Sequence, residues 1–201
     1  MQVFINPDKN SWNEILQRPA FDTRQLEGTV AAILEDVKLN GDAAVKKYAL
    51  QFDKVELGEL KVTAAEIEEA IQLVDEELKV AIKIAKDNIT AFHQSQKEAV
   101  TQIETTSGVV CWRKSVGIEK VGLYIPGGTA PLFSTLLMLG MPAMLAGCKE
   151  IVVCTPPDKN GKINPVILYV AQLIGLKNIY KAGGVQAIGA MASGTATIAK
   201  V

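Results

Sequence analysis

The sequence predicts an α/β chain in two parts: a helical amino-terminal segment with a hairpin, residues 1–118, and a parallel βαβαβα unit, residues 119–201. Apolar residues recur at helical spacing through most of the first hundred positions. After residue 120, a strand-like run, a Pro or Gly breaker and an apolar helix pattern follow one another three times. Successive strand-helix pairs mean parallel strands joined by right-handed crossovers, with ligands expected at the carboxyl ends of the strands.

In the first part, Ser11-Trp-Asn-Glu14 has the Ser-x-x-Glu pattern of a capping box and opens a short helix that Pro19 ends. A longer helix starts at about Thr23, with Leu26, Val30, Ile33, Leu34 and Val37 on one stripe, and stops at Asn40-Gly41. Asp42 is the expected cap of the next helix, whose stripe is Val45, Tyr48, Ala49 and Phe52. Thr63-Ala-Ala-Glu66 is a second capping box, leading into Ile67, Ala70, Ile71 and Val74. A last helix carries Leu78, Ala81, Ile82, Ala85, Ile89 and Phe92 on its apolar face. β-Branched residues on both sides of Ser107-Gly108 then predict a hairpin, Ile103 to Thr106 with Val109 to Lys114. A boundary falls near residues 115–120.

The three units follow. Val121 to Ile125 is a strand, Pro126-Gly127-Gly128 its breaker, and the helix begins after Pro131. Glu150-Ile-Val-Val-Cys-Thr ends in Pro156-Pro157 and is followed by a helix from Pro165 to Gly175. Asn178-Ile-Tyr-Lys-Ala ends in Gly183-Gly184 and leads to a helix from Val185 to Ser193. Glycine at such a junction lets a ligand approach the backbone, and the first N–H groups of the helix point at it.

Composition excludes several function classes. The chain has 201 residues, 48% of them hydrophobic and 21% charged, and 21 Lys+Arg against 22 Asp+Glu leave a net charge of -1. That balance offers no broad field for nucleic acid or acidic membrane. The start lacks a basic leader and a long apolar core, and the apolar run from Leu132 to Cys148 is interrupted by Gly140 and Pro142, so a buried helix and a cytoplasmic protein are expected. Cys111, Cys148 and Cys154 contain no Cys-x-x-Cys pair, which argues against a disulfide framework and a structural zinc site.

Few residues offer chemistry. No Gly-x-Gly-x-x-Gly or Gly-x-Ser-x-Gly occurs, His93 is the only histidine, and no carboxylate cluster has ligand spacing. No catalytic residue and no metal ligand is assigned. Tyr124 stands just before the first breaker, where its ring could stack on a planar ligand or simply fill the core with a wet tip. Gln186, in the first turn of the third helix beside Gly184, could read a ligand's polar groups or be a solvated helix start. Lys181 reads as a phosphate contact or a surface charge, and His93 as a structural or half-exposed imidazole.

Long stretches resemble one family. Val121-Gly-Leu-Tyr-Ile-Pro-Gly-Gly-Thr-Ala-Pro-Leu-Phe-Ser, Pro142-Ala-Met-Leu-Ala-Gly-Cys148 with its continuation to Pro157, Ala171-Gln-Leu-Ile-Gly, and Ala182-Gly-Gly-Val-Gln186-Ala-Ile-Gly-Ala together resemble histidinol dehydrogenase. Asn40-Gly-Asp-Ala-Ala-Val and Asn88-Ile-Thr-Ala-Phe-His-Gln extend the similarity over essentially the whole chain. The resemblance implies a zinc-dependent, NAD-linked enzyme of histidine biosynthesis that oxidises L-histidinol to L-histidine through an aldehyde. It implies an intertwined homodimer and incomplete Rossmann-like units, distantly like those of aldehyde dehydrogenases, with the first domain discontinuous. Tyr124 and Gln186 match NAD-contacting positions, with Pro126, Gly127, Gly128 and Gly184 beside them.

The family pattern continues beyond Val201, through an Asp-Lys-Ile-Phe-Gly-Pro-Gly-Asn stretch to the Glu-His acid/base pair and the zinc ligands. These are absent from the 201 residues, so the expectation is the amino-terminal part of the enzyme, inactive by itself. A stand-alone nucleotide-binding module and a structural module without catalysis are the alternatives. An aldehyde dehydrogenase relative is weaker, because no nucleophilic cysteine with a neighbouring base is identifiable.

Overall fold

A computed structural model describes residues 3–18, 23–128 and 130–201, with Arg24 and Gln25 as backbone only. Pro19, read as a helix stop, and Thr129, beside the first breaker, lie outside the described residues. The chain opens with a 3-10 turn over Lys9–Ser11 and a one-turn helix α1, Trp12–Ile15. The expected Ser11 capping box does not form; Asp8 Oδ1 instead accepts from the N–H groups of Asn10 and Ser11, and Ser11 Oγ donates to the Asp8 carbonyl. The acceptor three residues earlier captures the turn first.

Helix α2, Arg24–Tyr48, runs through the expected break: Gly41 adopts φ 53, ψ -130, so two helical runs meet at a kink. Asp42 caps neither run, because its carboxylate accepts from the Thr197 N–H and, at 2.5 Å, from Thr197 Oγ1. Ile33, Val37, Val45, Tyr48 and Ala49 are buried as the periodicity predicts, whereas Leu26 is exposed. The helix ends in a π-turn, Ala49–Asp53, closed by Lys54 in the left-handed region at φ 59. That wider turn rotates the stripe, so Phe52 is exposed and stacks on Tyr48 at 5.7 Å instead of entering the core.

Helix α3, Ala64–Gln72, carries the complete Thr63-Glu66 capping box. Helix α4, Glu76–Gln94, is capped by Asp75 and buries Ile82, while Phe92 in its last turn is exposed and meets His93 edge-on. Strands β1, Gln102–Thr106, and β2, Val109–Trp112, form the expected antiparallel hairpin, two residues shorter at its end than the pattern suggested, with both strands exposed.

The remaining elements make the three strand-helix units: β3 Lys120–Tyr124, α5 Phe133–Ala146, β4 Glu150–Thr155, α6 Pro165–Leu173, β5 Asn178–Lys181 and α7 Gly184–Ser193. The strands are parallel in the order β3-β4-β5. Period-two alternation divides their side chains between two cores. Leu123, Ile125, Ile151, Val153 and Ile179 face α3, α4, α5 and α6, while Val152, Cys154 and Tyr180 face α2 and α7. Thus α5 and α6 lie on one face and α7 crosses to the other.

Close helix packing depends on glycine at two places. A Cβ on Gly140 would lie 2.6 Å from Ile174 Cδ1, between α5 and α6, and one on Gly122 would lie 2.6 Å from Met191 Sδ, between β3 and α7. The helical segment also covers the outer edge of β5. Lys181 N donates to the Leu60 carbonyl and Val62 N to the Ile179 carbonyl, making an antiparallel bridge at Lys61 and Tyr180. No helix among the described residues is long and apolar enough to cross a membrane.

Candidate functional site

The parallel register aligns all three breakers at one edge. Tyr124 pairs with Cys154 and Thr155 with Lys181, and the ladder continues into the bends through Ile125 N to the Cys154 carbonyl and Ala182 N to the Thr155 carbonyl. Pro156 then fills the space between the outer two: a Cβ on Gly127 would lie 2.6 Å from its Cγ, and one on Gly183 would lie 2.7 Å from its Cβ. The first and third bends are therefore wedged on opposite sides of one proline ring. They also meet directly, because the Gly184 N–H donates to Tyr124 Oη at 2.9 Å. That bond occupies one of the free N–H groups at the start of α7 and leaves the tyrosine proton to donate elsewhere.

Pro156 divides the edge into two sides. On the α6 side, Pro126, Gly127 and Gly128 line a groove of about 430 Å³ with Pro156, Lys162 and Asn164. The polar groups there are engaged: Lys162 Nζ pairs with Glu69 at 2.8 Å, Asp158 Oδ1 accepts from Asn160 and Lys162 N–H groups, and Asn164 Oδ1 caps α6 at Val166. On the α7 side stand Tyr124, Gly184 and Gln186. Gly184 has φ +57, which glycine alone adopts freely, and a Cβ there would lie 2.9 Å from Gln186 Oε1. Gln186 is not the solvated helix start: it is 1% exposed, and its Oε1 has no hydrogen-bond partner.

A second buried oxygen without a partner belongs to Asp53, whose Oδ2 lies 3.5 Å from the position of a Cβ on Gly183. Burial pushes this carboxyl above its ordinary value of 3.8. Sequence reasoning missed Asp53, which stands at the end of an apolar helix stripe; only the π-turn carries it to the third bend. The signal in the sequence was a carboxylate where helical spacing would have continued the core.

Other candidates resolve otherwise. Lys181 is neither surface charge nor phosphate contact: it is 9% exposed and pairs with Glu66 Oε1 at 2.5 Å. Burial raises the Glu66 pKa, but the Lys181 ammonium and the Thr63 donors outweigh it, and the carboxyl titrates below its ordinary range. His93 Nδ1 lies 2.7 Å from Gln96 Oε1, away from the sheet edge. Cys154 is fully buried, and burial pushes its thiol up to about 12, so it is no thiolate nucleophile. Among the described residues, no three His, Cys, Asp or Glu side chains come together as a metal site.

The fold and the glycine-bent edge define an α/β protein of the open parallel-sheet class, with its polar demand at the carboxyl ends of the strands. Residues 16–201 match the family model described as histidinol dehydrogenase. The histidinol dehydrogenase of Bacteroides fragilis is 58% identical over 201 residues, covering 100% of this chain and 47% of the relative, and that of Bacteroides thetaiotaomicron is 57% identical over the same span. A crystal structure of histidinol dehydrogenase from Elizabethkingia anophelis superposes with a TM-score of 0.92 at 55% identity, over 100% of this chain and 46% of that one. The chain belongs to the histidinol dehydrogenase family and spans about half the length of the relatives it matches.

Proposed function

We propose that these residues form the cofactor side of a cytoplasmic, NAD-dependent histidinol dehydrogenase, an enzyme oxidising L-histidinol to L-histidine through the aldehyde in histidine biosynthesis. The observation that carries the reading is the junction of the first and third bends, where Tyr124 Oη accepts from Gly184 N and the buried Gln186 Oε1 lies beside them without a partner. A buried amide oxygen without a partner is costly, and a bound polar molecule relieves it. In this reading Tyr124, Gly184 and Gln186 hold the dinucleotide from the α7 side, and Pro126, Gly127 and Gly128 border it. NAD when bound supplies the hydride acceptor.

The chain's own contribution is positional. Tyr124 is held by its bond to Gly184 at the edge, while Pro156 packs against both Gly127 and Gly183. Gly184, lacking a Cβ, leaves room for the Gln186 amide. Zinc, the Glu-His acid/base pair and the homodimer belong to the whole enzyme in this proposal, as does the division into a helical first segment and an incomplete Rossmann-like unit at 118/119. The only histidine, His93, bonds Gln96 at the far end of α4, so these 201 residues are expected to oxidise no histidinol by themselves.

Calorimetric titration with NAD tests the cofactor reading. Saturable binding that weakens in Gln186→Ala supports it; absence of binding at millimolar NAD removes it. Histidinol-dependent NADH production by the same purified chain would show that the chemical centre is already present.

A further inference from the structure

We propose that Asn160 is a modification site: its side-chain amide is lost by spontaneous cyclisation onto the Gly161 nitrogen, which leaves aspartate and isoaspartate in the turn between β4 and α6. Two Asn-Gly pairs occur in the chain, Asn40-Gly41 and Asn160-Gly161. Glycine presents its nitrogen without a Cβ to screen it, so both pairs have the composition for this reaction. Their surroundings separate them. Asn160 is exposed in a turn, and among the described residues no hydrogen bond holds its side-chain amide. Asp158-Lys-Asn-Gly161 has the signature of a type I turn, with Asp first and Gly last. Its main chain does the holding: Asp158 Oδ1 accepts from the Asn160 and Lys162 N–H groups at 2.8 and 2.9 Å, and the Gly161 N–H donates to the Asp158 carbonyl at 3.0 Å. The Asn160 amide is therefore free to swing onto the next nitrogen, and the Gly161 bond is the one that must open first.

Asn40 is the internal control. It keeps helical backbone in α2, and its Nδ2 donates to Asp36 Oδ1 at 2.6 Å. Cyclisation there would have to break that bond and unwind the helix beside the kink. Asn164 precedes proline, whose nitrogen carries no proton to lose. Asn88 and Asn178 lie in α4 and β5 before isoleucines, whose branched side chains screen the nitrogen.

In the reaction the Gly161 nitrogen gives up its proton and bonds to Asn160 Cγ, while the Cγ–Nδ2 bond breaks and Nδ2 leaves as ammonia with that proton. Water then opens the cyclic imide at either carbonyl. Opening at the side-chain carbonyl gives aspartate; opening at the main-chain carbonyl gives isoaspartate, whose main chain is longer by one methylene. Each product adds a negative charge beside Asp158. The methylene also displaces Gly161, which has φ +75 and whose Cβ position lies 3.5 Å from Leu57 Cδ2 and 3.6 Å from Val55 Cγ2. Lys162 moves with it, away from Asp158 Oδ1 and from Glu69, which its ammonium meets at 2.8 Å. The connection from β4 to α6 is thereby loosened from α3.

The test is peptide mapping by mass spectrometry of the 201-residue chain aged in warm, mildly alkaline buffer, with fragmentation that distinguishes isoaspartate from aspartate. The expected result is conversion at Asn160 while Asn40 keeps its amide, and convergence of the two rates in urea, where both pairs lose their surroundings. An Asn160 amide that survives as long as that of Asn40 in the folded chain overturns the proposal. Rates that stay apart in urea overturn the role given to the fold. Thermal melting of aged and fresh chains follows the consequence: ageing should lower the midpoint of the native chain and leave that of Asn160→Ser unchanged. A fresh Asn160→Asp chain that melts with the fresh native chain supports the inserted methylene as the cause, and one that melts with the aged native chain overturns that step.

Discussion

Asp36 shows how much one carboxylate can be asked to hold. Its Oδ1 accepts from Asn40 Nδ2 at 2.6 Å, and its Oδ2 accepts from Lys47 Nζ at 2.7 Å and Tyr48 Oη at 2.8 Å. Asn40 precedes the Gly41 kink and the other two follow it, so the cluster clips both helical runs of α2 together. Hydrogen bonds from Lys47, then Asn40 and Tyr48, lower the carboxyl from 3.8 to about 2. A depressed folded value means that the stabilisation is complete above 3.8 and is lost as the pH falls toward about 2. Urea midpoints across that interval should fall less steeply in Asp36→Asn than in the native chain; parallel curves would show that the clip contributes nothing. None of these pairings was readable from periodicity, because the helix pattern placed Asp36 and Lys47 on separate helices and the kink angle alone brings them together. Asp53 escaped for a similar reason: a pattern of 3.6 residues per turn has no place for a π-turn.

At the scale of the element, the glycines of the carboxyl edge are packing devices. Gly127 and Gly183 press on the two sides of Pro156, with Cβ positions 2.6 and 2.7 Å from its ring atoms. Alanine at either should cost about 1–3 kcal/mol by overpacking, and the double substitution more than the sum, since a ring pressed from both sides cannot move away from either. Chemical denaturation of the three variants measures this, and strict additivity would show that the bends do not share the proline. In the three strand-helix units the bounds were readable within one or two residues, because Pro and Gly breakers flank runs of opposite period, whereas in the first part α2 runs past the expected stop at Asn40-Gly41. Caps were less reliable. Thr63 caps as its pattern says, whereas Ser11 loses to Asp8 and Asp42 is taken by Thr197, an acceptor contest that involves residues 155 positions apart in the latter case.

For the whole molecule, one sheet serves two cores. Val152 and Val153 are both fully buried and adjacent, yet the first packs toward α2 and α7 and the second toward α3 to α6. Truncating either to Ala should cost about 2 kcal/mol or more through lost burial and a residual cavity. Because β4 belongs to both layers, each variant should lower a single melting transition followed by circular dichroism. Two transitions, each moved by one variant, would mean that the layers fold separately. The helical segment is bound into the same unit by the Leu60 and Val62 bridge to β5 and by the part-buried Lys181-Glu66 pair, contacts that join residues far apart in sequence.

Local order is where the sequence by itself was sufficient. Alternating and helical periods, the Thr63 box and three breakers at equivalent junctions determined the α/β class, the parallel units and the placing of Tyr124, Gly127, Gly128, Gly184 and Gln186 on one edge, because those features act within a few residues. Tertiary structure alone decided what that edge asks for. It wedged Pro156 between two glycines, tied Tyr124 to Gly184, buried Gln186 and delivered Asp53 from a different helix, since whether a polar atom has a partner depends on every chain segment packed around it.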